Sequence, residues 1–384
     1  MSCHSIPSVK NETLVVTGAA GSVGHDILYY LSIMSGVGKI IAADVAEEQC
    51  RSQIREIVVS ANFLGHYPDI NFRKLDLFDV KATAEAIKEI DPKVICHCAT
   101  LGSWWITRLL PPEEYKKVSP LGPWLPNHLS LALNLMRSVK KAGTNTKVIN
   151  AAFPDLSNVV LAKLGLTPVC GGGNMDFLCG FVRYVVSREL KIPANDVFVY
   201  GVGHHGAYYT ARMGEPYYVK ILARGKDVTS KFPHDKLRKM CHAEGFFDRP
   251  QLKGPLVNQF RVAASFLRNT LAVYLNTREL RMSVPGPNGF PGAYPCRLSQ
   301  KGAEIALPDD LALEDAIEIN ETGAKFDGIE TVRHDGTVVY LDQNVRNMDE
   351  VLGYHCKELR ISELDERAKE LNAKLKKCYQ RHVA

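Results

Sequence analysis

Two adjacent histidines stand between glycines in the stretch GVGHHGAYY, residues 201–209. They follow DVFVYG, an apolar and β-branched run that is typical of a strand. An imidazole, whose ordinary pKa is about 6.5, can accept a proton and return it at neutral pH. Histidines in glycine turns also hydrogen-bond to the backbone, and we assign that role to His204. We prefer the functional role for His205, which is the candidate acid/base.

A glycine loop near the N-terminus is the second motif with chemical meaning. The strand-like run TLVVTG leads into GAAGSVG, and apolar residues at helical spacing follow. In such a loop the glycines allow a tight turn, a close approach of the backbone to a pyrophosphate, and close packing of the helix. The residues predicted to contact the cofactor here are Gly18, Gly21, Ser22, Val23 and Gly24.

Asp44 ends the next predicted strand, KIIAAD, 20 residues after Gly24. A carboxylate at this place can accept hydrogen bonds from ribose hydroxyls, and it repels a 2′-phosphate. The loop and Asp44 together therefore predict NAD as the cofactor, in preference to NADP. A ligand-free glycine turn, with Asp44 merely capping the next helix, is the weaker alternative.

These motifs need elements to position them, and the first 150 residues supply a regular alternation. The predicted strands are TLVVTG, KIIAAD, NFRKLD, KVICHCAT and KVINAAF, with helical patterns between them. Such alternation predicts an α/β fold with a doubly wound parallel sheet. Beyond Pro154 the pattern changes, so we predict a dinucleotide-binding domain at 1–150 and a catalytic domain at 151–384.

Composition narrows the function classes. The net charge is +5, but basic residues alternate with acidic ones along the chain, which disfavours nucleic acid as a partner. No run approaches the ~20 apolar residues that span a bilayer, and we predict a cytoplasmic protein without a membrane partner. Cys96, His97 and Cys98 lie in a predicted buried strand, where thiols are favoured over metal ligands, so no metal is predicted.

The stretch GlyHisHisGly at 203–206 resembles the motif that carries the catalytic histidine of the lactate/malate dehydrogenase superfamily. CGGGNMDFLCGFVRY resembles the helix that bears that family's aspartate, which implies Asp176 as the partner of His205. KVINAAFPDLSNVVLAKLGL resembles its fifth strand and following helix, which implies a substrate-binding role for Asn150. The resemblance implies a Rossmann domain followed by an α+β domain of that family's type.

The sequence departs from the family at the substrate carboxylate. Three residues after the aspartate the family has an arginine, and here that position is Cys179. An arginine grips a carboxylate with two charged hydrogen bonds, which cysteine cannot supply. The usual 2-hydroxy acid is therefore in question. The remaining candidate substrate contacts are Arg108, Trp105, Arg183 and Gln259.

We therefore predict an NAD-dependent dehydrogenase that acts on a secondary alcohol or its ketone, a 2-hydroxy acid or a related polar substrate. We also predict a homo-oligomer, dimer or tetramer, as in the family. Two alternatives stay open. One is an epimerase or lyase that uses tightly bound NAD transiently, although no tyrosine is followed four residues later by the lysine that sugar epimerases use. The other is a protein that binds NAD without catalysis.

Overall fold

The first strands of the chain form a parallel sheet, as the sequence predicts. The structure is a computed structural model that describes residues 12–206, 216–247 and 259–383. All five strands of the sheet pair in parallel, in the order β3-β2-β1-β4-β5. Their bounds are β1 Thr13–Thr17, β2 Lys39–Asp44, β3 Ile70–Lys74, β4 Val94–His97 and β5 Lys147–Asn150.

Helices connect these strands on both faces of the sheet. They are α1 Ser22–Ser32, α2 Glu47–Phe63, α3 Val80–Ile90, α4 Pro112–Val118 and α5 Leu125–Ala142, with short 3-10 helices at Trp104–Leu109 and Gly122–Trp124. The strand order reverses direction between β1 and β4. Ligands of open α/β sheets bind in the crevice at such a switch point, outside the carboxyl ends of the strands. The glycine loop follows β1 directly and so lies at this crevice.

A second, antiparallel sheet follows in the chain. Its order is β11-β10-β6-β7-β8, with β9 paired to β10. The strands are β6 Val197–Gly203, β7 Tyr217–Ala223, β8 Lys226–Asp227, β9 Leu280–Pro285, β10 Ala293–Ser299 and β11 Gly302–Ile305. The helices around it are α6 Pro154–Lys163, α7 Met175–Leu190, α8 His234–Ala243 and α9 Gln259–Tyr274, with 3-10 helices at Ala194–Asp196, Thr229–Lys231 and Pro287–Gly289. The predicted fold class is confirmed.

The last 70 residues return to the first half of the molecule. They contain α10 Leu313–Ala324, the 3-10 helix Lys325–Asp327, β12 Ile329–Val332, β13 Val338–Tyr340, α11 Asp342–Leu352, β14 Glu358–Leu359, the 3-10 helix Ile361–Glu363 and α12 Leu364–Val383. Leu371 and Leu375 of α12 share a buried cluster with Leu129 and Leu133 of α5. A hairpin joins β12 to β13, with Gly336 at φ 84° in its turn.

Residues 285–350 are rich in Pro and Gly and have no clear apolar pattern outside the hairpin, and the structure shows why. It contains a bulged strand pair, several positive-φ positions and short strands, so apolar periodicity is interrupted repeatedly. No described helix has the length and hydropathy needed to cross a membrane. The parallel sheet ends at Asn150, while a domain boundary at 150 stays a prediction.

Candidate active site

The glycine loop needs its glycines for steric reasons. Gly18 has φ 71°, and a Cβ there would lie 2.5 Å from the backbone nitrogen of Ala99. A Cβ on Gly24 would lie 2.3 Å from the carbonyl oxygen of Gly18. The loop is thus packed against the end of β4 and against its own helix, at distances that no side chain tolerates. Gly21 is exposed at the crevice, where its backbone can approach a ligand.

Helix α1 begins at Ser22, which places Ser22, Val23 and Gly24 in its first turn, at the positive end of the helix dipole. A helix start of this kind favours an anionic group such as a pyrophosphate. Both Ser22 and Val23 are half-buried at this end. The geometry fits the predicted dinucleotide role of this loop.

Asp44 is tied to the same loop. Its carboxylate accepts the N–H of Ala20 at 3.0 Å and the N–H of Ala46 at 2.9 Å. The carbonyl of Ala20 in turn accepts from the amides of Gln49 and Gln53. Half-buried Asp44 therefore stands at the position that the sequence assigned to it, and it also fixes the conformation of the loop.

The histidine centre lies where β6 ends. The Nδ1 atom of His205 is 2.8 Å and 3.1 Å from the two carboxylate oxygens of Asp327. The backbone N–H of His205 donates to the carboxylate of Asp155 at 3.0 Å. Asp155 and Asp327 are both fully buried. Because Asp327 engages Nδ1, proton exchange with a substrate would go through Nε2.

His204 is buried behind His205. Its Nδ1 atom accepts the N–H of Gly206 at 3.1 Å and lies 3.2 Å from Asp327. The side chain of His204 is 1% exposed, whereas that of His205 is 12% exposed. His204 is thus held by the backbone beside Asp327, and the roles predicted for the two histidines stay predictions.

Electrostatics favour an imidazolium at His205. Burial would lower the pKa of His205, but the charge and hydrogen bond of Asp327, with Asp155 behind it, raise that pKa above its ordinary value. Burial would likewise raise the pKa of Asp327, but the two imidazoles outweigh burial and hold that pKa below its ordinary value. The two shifts agree on a charged pair. The shift favours the protonated form of His205, which can donate its proton to a substrate oxygen.

The partner predicted for His205 was wrong. Asp176 accepts hydrogen bonds from Ser265 and Arg268, each at 2.5 Å, and it does not bind the imidazole. Asp176 lies in the first turn of α7, and α9 places Arg268 and Ser265 opposite it. The carboxylate that binds Nδ1 comes instead from Asp327, in the 3-10 turn after α10.

Two glycines let this turn reach the histidines. A Cβ on Gly206 would lie 2.5 Å from the carbonyl of Gly323 and 2.9 Å from the backbone nitrogen of Asp327. A Cβ on Gly323 would lie 2.8 Å from the Cβ of His204. The glycine after the two histidines therefore serves the close approach of a distant segment. Asp327 carries no local signal, since it lies in the stretch that showed no pattern.

Two residues predicted to contact the substrate, Asn150 and Arg183, form hydrogen bonds with other parts of the protein. The amide of Asn150 donates to Ser157 and Asn158, and its oxygen accepts the N–H of Ala152. Asn150 thereby braces the turn after β5, which is a structural use of its side chain. The Nε atom of Arg183 donates to the carbonyl of Val197, six residues before the end of β6 and about 20 Å from the histidine end. Neither assignment is supported.

The remaining predicted contacts are placed as follows. Arg108 is exposed in the 3-10 helix after β4, and Cys179 is fully buried, where a Cβ on Gly201 would lie 2.2 Å from its sulfur. Cys179 thus packs under β6 in the core. The side chains of Trp105 and Gln259 lie outside the described part of the structure.

Residues near the histidine centre include two with strained backbone conformations and one buried histidine with unsatisfied ring nitrogens. Buried Phe153 has φ 50°, and Asn174 has φ 55° with ψ −115°, conformations that L-residues with side chains rarely adopt. Asn174 also donates to Asp155. His128 is buried on α5, and among the described residues neither of its ring nitrogens has a hydrogen-bond partner, at a typical cost of ~1–3 kcal/mol per group. Such costs are characteristic of functional sites.

Metal ligands do not gather here. In the described ranges, no group of three or more His, Cys, Asp or Glu side chains could hold a metal ion. The sulfur atoms of Cys96 and Cys98 are 3.9 Å apart, and the Nδ1 of His97 bonds instead to the hydroxyl of Thr17. Among the described residues, these thiols are free and Cys96 is buried.

Comparison with known structures bears on the whole arrangement. The chain has the fold of lactate dehydrogenases. Its structure aligns with lactate dehydrogenase from Eimeria maxima with NADH and oxamate at a TM-score of 0.59 and 14% identity, covering 82% of this chain and 92% of that one. Lactate dehydrogenase from Cryptosporidium parvum, complexed with lactic acid and NAD, gives 0.56 and 16%, with 82% and 98% covered. The minor L-lactate dehydrogenase from Enterococcus mundtii gives 0.54 and 14%, with 82% and 96% covered.

A comparison of the sequence with family models matches a different family over the N-terminal region. Residues 14–151 match the family model of the NAD dependent epimerase/dehydratase family. No curated protein matches the chain. Both positive findings concern proteins described with NAD or NADH, or as NAD dependent, in agreement with the predicted cofactor. The predicted resemblance to lactate dehydrogenases agrees with the structural neighbours.

Proposed function

We propose that this protein is an NAD-dependent oxidoreductase that interconverts a secondary alcohol and its ketone, with His205 as acid/base and Asp327 as its partner. The observation that carries the proposal is the buried His205–Asp327 pair at 2.8 Å, in a chain that also has a glycine loop whose geometry fits a dinucleotide. The NAD dependent family model over the loop supports the same cofactor. The nicotinamide supplies or removes hydride when it is bound.

The residues of this chain have three tasks in the proposed reaction. The glycine loop and the start of α1 would hold the pyrophosphate, and Asp44 would face the ribose. His205 would donate a proton from Nε2 to the ketone oxygen as the carbonyl is reduced, and it would take the proton back from the alcohol in the reverse direction. Asp327 would keep Nδ1 protonated and stabilise the positive ring.

The charges at the site support an uncharged substrate. Two buried carboxyl groups lie at this centre: Asp327 beside the imidazoles of His204 and His205, and Asp155 bound to the backbone N–H of His205. They disfavour a further carboxylate from a substrate. Cys179 lies in the core, and Arg183 lies far along β6. The proposal therefore favours a neutral hydroxy ketone or keto sugar over a 2-oxo acid.

The test is NADH oxidation, followed by absorbance, with purified protein and a panel of neutral ketones, keto sugars and 2-oxo acids. We expect turnover with a neutral ketone and little with the acids. Turnover restricted to 2-oxo acids would contradict the proposed substrate class. No turnover with any member, in either direction and with either nicotinamide, would contradict the proposed oxidoreductase.

The second candidate function is an epimerase or lyase that keeps its NAD bound, and the family model over residues 14–151 favours it. Such an enzyme oxidises, rearranges and reduces within one turnover, so no net NADH is consumed. Denaturing the purified protein and quantifying released nicotinamide distinguishes the two. Near-stoichiometric NAD that survives dialysis would support the second candidate, and a protein free of nicotinamide would support the dehydrogenase.

A homo-oligomer remains part of the proposal. Helix α2 and the turn after it expose large apolar side chains, among them Val59, Phe63, Leu64 and Tyr67. Solvated apolar groups of this size are typical of surfaces that pack against another chain. Light scattering after size exclusion measures the mass, and a monomer of 42.6 kDa would contradict the prediction. A cytoplasmic location remains a prediction from the sequence.

A further inference from the structure

His128 is a buried polar side chain that the catalytic pair does not explain. It lies in the first turns of α5 and is 6% exposed. Neither of its ring nitrogens has a hydrogen-bond partner within the described structure. Buried imidazoles normally satisfy at least one nitrogen, as His204 and His205 do here. A bound ligand would account for this exception.

The position of His128 points to the same site. Its ring meets that of Phe153 edge to face, with centroids 6.1 Å apart, and Phe153 meets the ring of His205 in the same way at 5.4 Å. Phe153 is held in its unusual backbone conformation between these two imidazoles. The two histidines therefore contact the same aromatic ring, and they are close enough for the charge of His205 to lower the pKa of His128.

The start of α5 is fixed, so the unsatisfied ring is not a result of a loose helix end. The amide of Asn127 exchanges two hydrogen bonds with Asn372 of α12, at 3.1 Å and 2.8 Å. The carbonyl of Asn127 accepts the N–H of Leu101 at 2.9 Å. His128 is thus presented from a braced element, as substrate-contacting residues of a rigid site are.

The protonation state of His128 limits what it can bind. Burial, and after it the positive charge of His205, lowers the pKa of His128 to about 4. A neutral imidazole offers one N–H donor and one nitrogen acceptor. That set matches an uncharged hydroxyl, which both donates and accepts, or a carbonyl, which accepts. It offers a carboxylate no charge.

We propose that His128 contacts the substrate and hydrogen-bonds an uncharged hydroxyl or carbonyl group next to the carbon that faces His205. This inference rests on the proposed function and narrows its substrate to a neutral polyfunctional ketone or alcohol. His128 would act in recognition, and His205 in proton transfer. Replacing His128 should therefore change KM more than it changes the pH dependence of turnover.

The kinetic test compares His128→Phe, which removes both polar atoms, with His128→Gln, which keeps a neutral donor and acceptor. For the neutral ketone found active in the panel, we expect His128→Phe to raise KM about tenfold, the effect of one lost hydrogen bond. His128→Gln should recover part of that loss. Exposed His355, which lies beside Asp349, provides the control His355→Phe, for which KM should not change.

Thermal unfolding without ligand separates recognition from a structural role. Because His128 has unsatisfied nitrogens, His128→Phe should leave the Tm unchanged or raise it. A lowered Tm with an unchanged KM would show that His128 is structural and would overturn the proposal. If His128→Phe does not fold, that outcome counts against the proposal unless His128→Gln, which must then fold, raises KM.

A binding measurement does not depend on turnover. The imidazole resonances of the parent protein, with NAD present at pH 7, are recorded with 1,3-dihydroxyacetone and separately with pyruvate. We expect dihydroxyacetone to shift the signals of His128 and His205, and pyruvate to leave those of His128 unchanged. If neither probe shifts His128, the proposal is overturned, whereas absent NADH consumption with a shifted His128 contradicts only the proposed reaction.

Discussion

The glycine loop and the histidine centre are built in different ways. The loop draws its contacts from the consecutive residues 18–24, the end of the neighbouring strand and Asp44 at the end of β2. The histidine centre draws on Asp155, Asn174, His205 and Asp327, which the chain brings together from segments up to 172 residues apart. One site is local in sequence, and the other exists only in the folded chain.

The difference teaches where sequence motifs can be trusted. Parallel strands of a doubly wound sheet end at one edge, so residues after them meet by the geometry of the sheet alone. A carboxylate that orients a histidine needs only to reach Nδ1, and several segments can deliver it. Here α10 and its 3-10 turn deliver Asp327, while the carboxylate at the position expected from the motif binds Arg268.

The largest effect should come from His205→Asn. An asparagine cannot exchange a proton at neutral pH, so kcat should fall about 10³-fold. NADH affinity, measured by fluorescence titration, should stay within twofold of the parent because the loop is untouched. A variant with parental turnover would show that the two regions do not divide cofactor binding and proton transfer as proposed.

Next in size is the contrast between Asp327→Asn and its matched control Asp176→Asn. Without the Asp327 charge, the raised pKa of His205 should fall, and ketone reduction should lose about 10²-fold in kcat at neutral pH, with its pH limb moved to lower pH. Asp176→Asn should leave the pH limb in place and lower stability by about 2 kcal/mol. If the pH limb of ketone reduction moves in Asp176→Asn and not in Asp327→Asn, Asp176 would be the partner of His205, as the family resemblance implies.

The same pair predicts a pH dependence of stability. The raised pKa of His205 stabilises the fold fully below the unfolded value of about 6.5, and this stabilisation is lost as the pH rises through the folded pKa. The lowered pKa of Asp327 stabilises the fold above the unfolded value of about 3.9, and this stabilisation is lost as the pH falls through the folded pKa. Denaturant unfolding of parent and Asp327→Asn should therefore differ most between about pH 4 and 6.5. A difference that grows above pH 8 would contradict the charged pair.

In the loop, Gly18→Ala should be compared with Gly143→Ala. Both glycines have positive φ, 71° and 69°, but a Cβ on Gly143 meets nothing within 4 Å. Gly18→Ala should lose about 2 kcal/mol more in unfolding free energy than the control, because its methyl group overlaps the backbone at Ala99. NADH binding should weaken in Gly18→Ala alone. Equal losses in both variants would show that φ, not packing, is what the loop requires.

The smallest effect is expected for Asp44→Ala. Loss of the carboxylate removes an acceptor for the ribose and a bond to the N–H of Ala20, so NADH should bind about tenfold more weakly. The affinity for NADPH should fall less, because the repulsion between Asp44 and the 2′-phosphate disappears. Fluorescence titrations with both nucleotides measure the ratio. An unchanged ratio would mean that Asp44 serves the loop and not the ribose.

The sequence by itself determined the α/β fold class and the order of strand, glycine loop and helix, and it placed Asp44 and His205 at the ends of strands. These follow from apolar periodicity and from glycines whose neighbours are close in the chain or on the same sheet edge. Cys179 could also be recognised as a departure from the arginine of the family, and the structure places its sulfur under Gly201.

Only the tertiary structure decided what surrounds His205. Asp327 and His128 stand in segments with no motif, and they reach the site because Gly206 and Gly323 allow α10 to close on the histidines and because α12 braces α5. Asn150, Asp176 and Arg183 matched a pattern or a helix face, yet each is taken by a nearer partner. Buried polar groups form hydrogen bonds with the partners that tertiary packing brings within reach, and these partners cannot be predicted from spacing along the chain.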